Sequence, residues 1–424
     1  MSMAAECQRW LRRKQYTFEV TFALNMFRSW EKSVIYSVLF LLCSMTFIAA
    51  VLYLPHHITI LAGRAWYYIK GEHINVAASA REVVQEVSKS VVSKAAPTVE
   101  AVRDALVGVV EKELLVLGVG YMVGTVITAL AIKEHYSVFG LSRTEDSDRK
   151  LEILGAVPVR GDLTSLDVLR REAAASDGVI HLATSYTFGE PTYDVALPID
   201  TAAVDAIVSG LAGSSKPLIV TAGTLQVVPD AEGRETDESA PVNVKTTFKR
   251  HLVETHALSL VDKGVRVSSI RLAPYVYGRG GSGVARMMGM GVKMGGLVTV
   301  DGGRNRTTTV HVDDAARLYL LALEGSKGGE VFNASADTDV TAGELYAAIG
   351  ESVGVPVRDM SFDEAKEAMG EMVTWFLGAE NRASGEKARR VLGWEVGEMG
   401  ILDEIKRGSY REVAEGLAKG KGSA

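Results

Sequence analysis

The residues of this chain that could do chemistry begin at a glycine-rich turn, LGVGYMVGTVITALAIK, in which Gly118 and Gly124 stand six apart. Glycines so spaced, between a short apolar run and a helix, let the backbone approach a pyrophosphate, which then sits on the positive end of the helix. Gly120 is present, but Tyr121 takes the middle slot of the GxxGxxG pattern, which either narrows the site or shifts the turn. A second apolar run ends in Ser142-Arg143. No carboxylate stands there to hold a ribose 2′-hydroxyl, and an arginine can instead pair with a 2′-phosphate. That favours NADP, with NAD as the alternative; the plain reading is a solvated arginine. Cys7 and Cys43 are the only cysteines, which excludes a Cys-rich zinc module and a disulfide scaffold.

These residues need elements to position them. From residue 113 onward, short β-branched runs at 114–117, 138–141, 157–159, 178–182, 218–221 and 265–271 alternate with longer helical patterns. Such alternation predicts an α/β fold, a doubly wound parallel Rossmann sheet with helices on both faces. Gly161-Asp162-Leu163 follows the third run, and DGVIHLAT passes through the fourth. Further on come RLAPYVYG at 271–278 and TVHVDD at 309–314.

In that order, the motifs resemble the extended short-chain dehydrogenase/reductase superfamily, in its NAD-dependent epimerase/dehydratase branch, over about residues 113–410. The resemblance implies that Asp162 and Leu163 border the adenine, Ala183 and Thr184 line the cofactor, and Ala273 and Pro274 lie near the nicotinamide. It also implies a small C-terminal substrate lobe from about residue 277, closing with Leu392-Gly393-Trp394. His181 and His311 read as packing or hydrogen-bonding residues. The superfamily uses a Tyr-xxx-Lys pair, whose lysine lowers the phenol's pKa for proton transfer. Counting back from Glu254, those positions hold Thr246 and Arg250. The serine or threonine expected after the fifth strand is Thr221 or Thr224, and Thr224, Lys245 or Lys249 could serve as a substitute acid. Two functions follow: an NADP(H)-dependent oxidoreductase or epimerase on a small or lipid-like substrate, or a dinucleotide-binding protein without turnover.

The charge divides the chain. Residues 1–70 hold eight Lys/Arg against three Asp/Glu, or +5, so the remainder of a chain at −6 carries −11. The net charge of −6 gives no reason to expect nucleic acid as a partner. No charged side chain falls in residues 33–54, which as a helix would be about 33 Å long, enough for a single membrane crossing. Trp30 and Tyr53 sit near its ends, and Arg12, Arg13 and Lys14 precede it among aromatic residues.

The runs LNMFRSWEKSVIYS and LPHHITIL resemble the small activating subunit of serine palmitoyltransferase, over roughly residues 8–70. That resemblance implies the transferase's large subunits as partners, the endoplasmic reticulum membrane as location, and a role in sphingolipid synthesis; the non-catalytic alternative is then a dinucleotide-binding protein whose N-terminal part regulates the transferase. It associates Met26 with acyl-chain choice; packing on an apolar helix face is the alternative. Residues 71–112 read as a helical linker, broken by Pro97.

Sidedness is in conflict. The basic residues before the span favour an N-terminus in the cytosol and hence a luminal dinucleotide domain, whose sequons at Asn305 and Asn333 could be glycosylated. Cytosolic NADPH and the lack of disulfides favour a cytosolic domain.

Overall fold

The computed structural model describes residues 112–187, 192–244 and 249–421. The expected span at 33–54, Met26, the linker up to residue 111, Lys245 and Thr246 lie outside them. Among the described residues, no helix is long and apolar enough to cross a membrane.

Strand β1 (Glu113–Leu117) shows why the sheet is central. Successive side chains of a strand point to opposite faces, and here both faces are apolar. Leu114 and Val116 join one core, while Leu115 and Leu117 join the other, and all four are fully buried. The first core takes α1 (Met122–Lys133) through Val123, Val126 and Ile127. It also takes α7 (Val312–Gly325) through Leu318 and Tyr319. The second takes α3 (Leu166–Ala175) through Leu169 and Ala173, and α4 (Ala196–Leu211) through Val204 and Ile207. It is completed by α5 (Arg250–Ser259) through Ala257.

The other strands of this sheet are β2 (Ser137–Ser142), β3 (Val157–Arg160), β4 (Gly178–His181), β5 (Pro217–Gly223), β6 (Arg266–Leu272) and β10 (Val331–Ala334). Their order is β10-β6-β5-β4-β1-β2-β3, and every pairing is parallel. The six expected runs agree with β1 to β6 within two residues at each end. Helix α2 (Glu145–Leu154) links β2 to β3, with Thr144 as its N-cap, accepting from the Ser147 amide at 3.2 Å.

The lobe expected from about residue 277 is built from separated segments. It begins with β7 (Tyr275–Tyr277), which pairs with β9 (Arg306–His311), itself paired with β11 (Asp337–Thr341). Strand β8 (Leu297–Val300) pairs with β12 (Val357–Met360). Helices α6 (Ser282–Met294), α8 (Ala342–Val353), α9 (Phe362–Met369), α10 (Glu371–Gly378), α12 (Ile401–Arg407) and α13 (Tyr410–Lys421) complete it.

Between these pieces the chain returns to the main sheet as α7 and β10. It returns again as α11 (Glu386–Leu392), whose Ala388 and neighbouring Trp394 sit in the first core. The Trp394 indole donates to the Asp314 carbonyl at 2.8 Å. Strand β10 pairs with β6 over Val331–Ala334 and satisfies backbone groups that would otherwise lie at the sheet edge.

Candidate functional site

Because all seven strands run one way, the residues that follow β1 to β6 emerge at one edge of the sheet. The turn after β1 is built for close approach. Gly118 has φ +94°, and a Cβ there would stand 2.8 Å from the Ala183 amide nitrogen, so both backbone angle and space require glycine. A Cβ at Gly124 would overlap the Gly118 carbonyl, whereas one at Gly120 meets nothing within 4 Å. The Tyr121 amide donates to the Gly118 carbonyl at 3.1 Å, and Thr125 Oγ1 donates to the Val119 carbonyl at 2.7 Å.

Tyr121 is the N-cap of α1, in ordinary extended backbone (φ −82°, ψ 151°) that does not require glycine. Among the described residues, no acceptor meets the amides of Met122, Val123 or Gly124, and the first helical turn holds no acid. Free amides at a positive helix end form an anion site. These residues fit a dinucleotide pyrophosphate.

The other cofactor candidates lie on the same edge. Ser142 is buried, and its hydroxyl donates to the Thr144 carbonyl at 3.1 Å, turning the chain so that Arg143 is exposed. Arg143 has no hydrogen bond or ion pair among the described residues, whereas Arg160, at the end of β3, is paired with Asp148. Asp162 is turned inward on its own loop. Thr164 donates to it from its hydroxyl (2.6 Å) and amide (2.8 Å), and Ser165 Oγ donates at 3.1 Å. Those bonds hold its carboxyl below the usual carboxylate range. Leu163 is buried beside it, Ala183 and Thr184 are half-buried after β4, and Ala273 and half-buried Pro274 join β6 to β7.

Behind the ends of β4 and β5 lies a polar cavity of about 20 Å³, lined among others by His181, Tyr193, Asp200, Thr221, Arg250 and Glu254. It is the size of a water molecule. Asp200 organises it, accepting hydrogen bonds from the Tyr193 and Thr184 hydroxyls and, at 2.8 Å, from the Ser185 amide. Burial drives the Tyr193 phenol above its ordinary range. Burial also lowers His181 to about 4, so its imidazole is neutral at pH 7, and Nδ1 has no partner among the described residues. Asp200 was legible only as a lone carboxylate in the apolar run ALPIDTAAVDAIV, and Tyr193 gave no signal at all.

The candidate acids are separated. Thr221 Oγ1 is bonded to the Tyr319 hydroxyl at 2.8 Å, and its carbonyl accepts from Arg250 at 3.3 Å. Thr224 is fully buried, donating to Asn381 Oδ1 at 2.8 Å, and does not line the cavity. Lys249 is at the surface, paired with Asp194 at 2.8 Å. Thr224 is thus enclosed and bonded to Asn381, Lys249 is held outward by Asp194, and the structure does not bring the two together. Glu254 is not a free acid either, since Arg271 and Ser269 donate to it in the interior.

Both sequons point inward: Asn333 is buried and donates to the Ser384 carbonyl, and Asn305 Nδ2 donates to the carbonyls of Leu377 and Ala379, all at 3.0 Å. Neither nitrogen is free to carry a glycan in the folded domain. Arg306 is likewise engaged, with Glu380 and the Gly233 carbonyl. His311 caps α7, its Nδ1 accepting from the Asp313 amide at 3.2 Å, a structural role.

Known proteins are similar to this chain in sequence and in fold. Residues 8–61 match the small subunit of serine palmitoyltransferase-like family, and residues 114–335 match the NAD dependent epimerase/dehydratase family. The uncharacterized protein YLL056C of Saccharomyces cerevisiae is 31% identical over 297 residues, 69% of this chain and 98% of its own. A 4-hydroxy-2-methyl-3-oxo-4-farnesyl-3,4-dihydroquinoline-1-oxide ketoreductase of Stigmatella aurantiaca is 25% identical over 65% of this chain and 90% of its own. The solved structure of MoeE5 with UDP-glucuronic acid and NAD shares the fold, with a TM-score of 0.58 and 17% identity over 72% of this chain and 99% of that one. With its glycine turn, strand order and matched length, the chain belongs to the NAD dependent epimerase/dehydratase family.

Proposed function

We propose that this protein is a membrane-tethered, NADP(H)-dependent oxidoreductase that acts on a carbonyl carbon of a lipid-like substrate. The observation that carries the cofactor choice is Arg143, an exposed guanidinium without a partner among the described residues, at the end of β2, where a 2′-phosphate needs a cation. Gly118 and Gly124 would hold the pyrophosphate against the amides of α1, and Thr184 and Ala273 would border the ring. The nicotinamide, when bound, supplies or accepts hydride. Arg250 donates to the Thr221 carbonyl of β5, and a guanidinium there holds the strand end and supplies no proton for the reaction.

Carbonyl reduction is supported by the likeness to a ketoreductase acting on a farnesylated 3-oxo compound. Tethering is supported by the charge-free stretch at 33–54 and by the match to the serine palmitoyltransferase small subunit. On this reading the protein resides in the endoplasmic reticulum membrane with its dinucleotide domain in the cytosol, beside the transferase's large subunits. A second reading, dinucleotide binding without turnover, has its own support: the hydroxyls of Thr221 and Thr224 are both already bonded within the protein.

Titrating the full chain in detergent with NADPH and NADH tests the cofactor. NADPH binds more tightly, and Arg143→Glu removes that preference; tighter NADH binding by the unaltered chain overturns it. NADPH oxidation with 3-ketosphinganine separates the readings, because binding without oxidation supports the second.

A further inference from the structure

The structure leaves one side chain at the cofactor turn without an assignment. Tyr121 is half exposed, and its phenol makes no hydrogen bond or ring contact among the described residues. It fills the middle slot of a glycine pattern whose outer members are sterically required, at Gly118 by φ and space and at Gly124 by space. Nothing in the backbone asks for glycine at position 121, since φ is −82°. The residue is the N-cap of α1 and directly precedes the free amides of Met122 and Val123, so its exposed side chain belongs to the helix end that a pyrophosphate would meet. A hydroxyl beside an anion donates a charge-assisted hydrogen bond, and the first turn of α1 carries no acid to compete for it.

We propose that Tyr121 is a dinucleotide-binding residue: its hydroxyl donates to a pyrophosphate oxygen, and its ring covers the diphosphate from solvent. The tyrosine thus replaces the close backbone approach a glycine would give with a donor from the side chain. This inference rests on the dinucleotide reading of the same turn, and the test separates the two.

The full chain in detergent is titrated with NADPH, followed by its fluorescence, and by calorimetry with adenosine 2′-monophosphate, which carries the ribose phosphate but no pyrophosphate. In Tyr121→Phe the NADPH affinity falls about tenfold, the loss of one hydrogen bond to a charged group, while the affinity for adenosine 2′-monophosphate is unchanged. Tyr121→Gly weakens NADPH at least as much. Unchanged NADPH affinity in Tyr121→Phe, tighter binding in Tyr121→Gly, or an equal loss of both ligands overturns the proposal; the last assigns the effect to the fold. If the unaltered chain binds neither NADPH nor NADH, the dinucleotide reading fails and this inference with it.

Discussion

At the scale of the residue, the site is governed by what each polar group already holds. Asp200 ties together Tyr193, Thr184 and the Ser185 amide, so the strand-end loop that should meet the cofactor is anchored from beneath. His181 lies in the same cavity, facing Asp200, Arg250 and Glu254, and burial lowers it to about 4. In the unfolded chain a histidine takes its proton near pH 6.5. Between those values the unfolded state binds more protons, so stability falls as the pH drops from about 6.5 to 4, by up to about 3 kcal/mol. Thermal unfolding at pH 7, 5.5 and 4.5 shows this loss, and His181→Gln flattens it; an equally steep loss in that variant places the acid sensitivity elsewhere. The threonines teach a related lesson. Their types and positions after β5 were readable, but their partners are Tyr319 and Asn381, 98 and 157 residues further on, and no local pattern reports such pairings.

Between elements, the joint between α5 and β6 is the most tightly specified. Arg271 Nε donates to both Glu254 oxygens at 3.0 and 3.1 Å, and Nη2 donates to Oε2 at 2.9 Å. Ser269 Oγ adds a bond at 2.6 Å, and Gln226 adds another from the segment after β5. Both charged side chains are more than nine-tenths buried. Removing one leaves the other charged and unpaired, at a cost of about 3–5 kcal/mol. Denaturant unfolding of Arg271→Leu shows that loss, and Arg271→Leu with Glu254→Leu recovers part of it, because the two effects are not additive. Strict additivity would show that the pair does not act as a unit. The sequence exposed Glu254 as the end of a motif and Arg271 as the start of another, but not that they meet. Their contact depends on α5 crossing the face of β5 and β6, a tertiary fact. The strands themselves were legible, since a parallel sheet covered on both faces reads as continuous apolar runs.

For the whole molecule, the +5 and −11 portions define the prediction. If residues 1–70 are the tether, deleting them moves the protein from the membrane pellet to the soluble fraction and leaves its NADPH affinity unchanged; a truncated chain that stays in the pellet overturns the tether. Glycosidase treatment is expected to leave the mobility of the full chain unchanged at Asn305 and Asn333, because both amide nitrogens are bonded within the fold.

The sequence by itself determined the parallel α/β class, the glycine turn, Arg143 and the division of the chain, because hydrophobic periodicity, glycine spacing and charge are local properties. Only the tertiary structure decided that the lobe is interrupted to supply the seventh strand, that two candidate hydroxyls are already bonded, and that the Tyr121 phenol is exposed with no partner among the described residues. Those outcomes depend on which distant segment meets each group, and burial and hydrogen-bond satisfaction are settled across the whole fold.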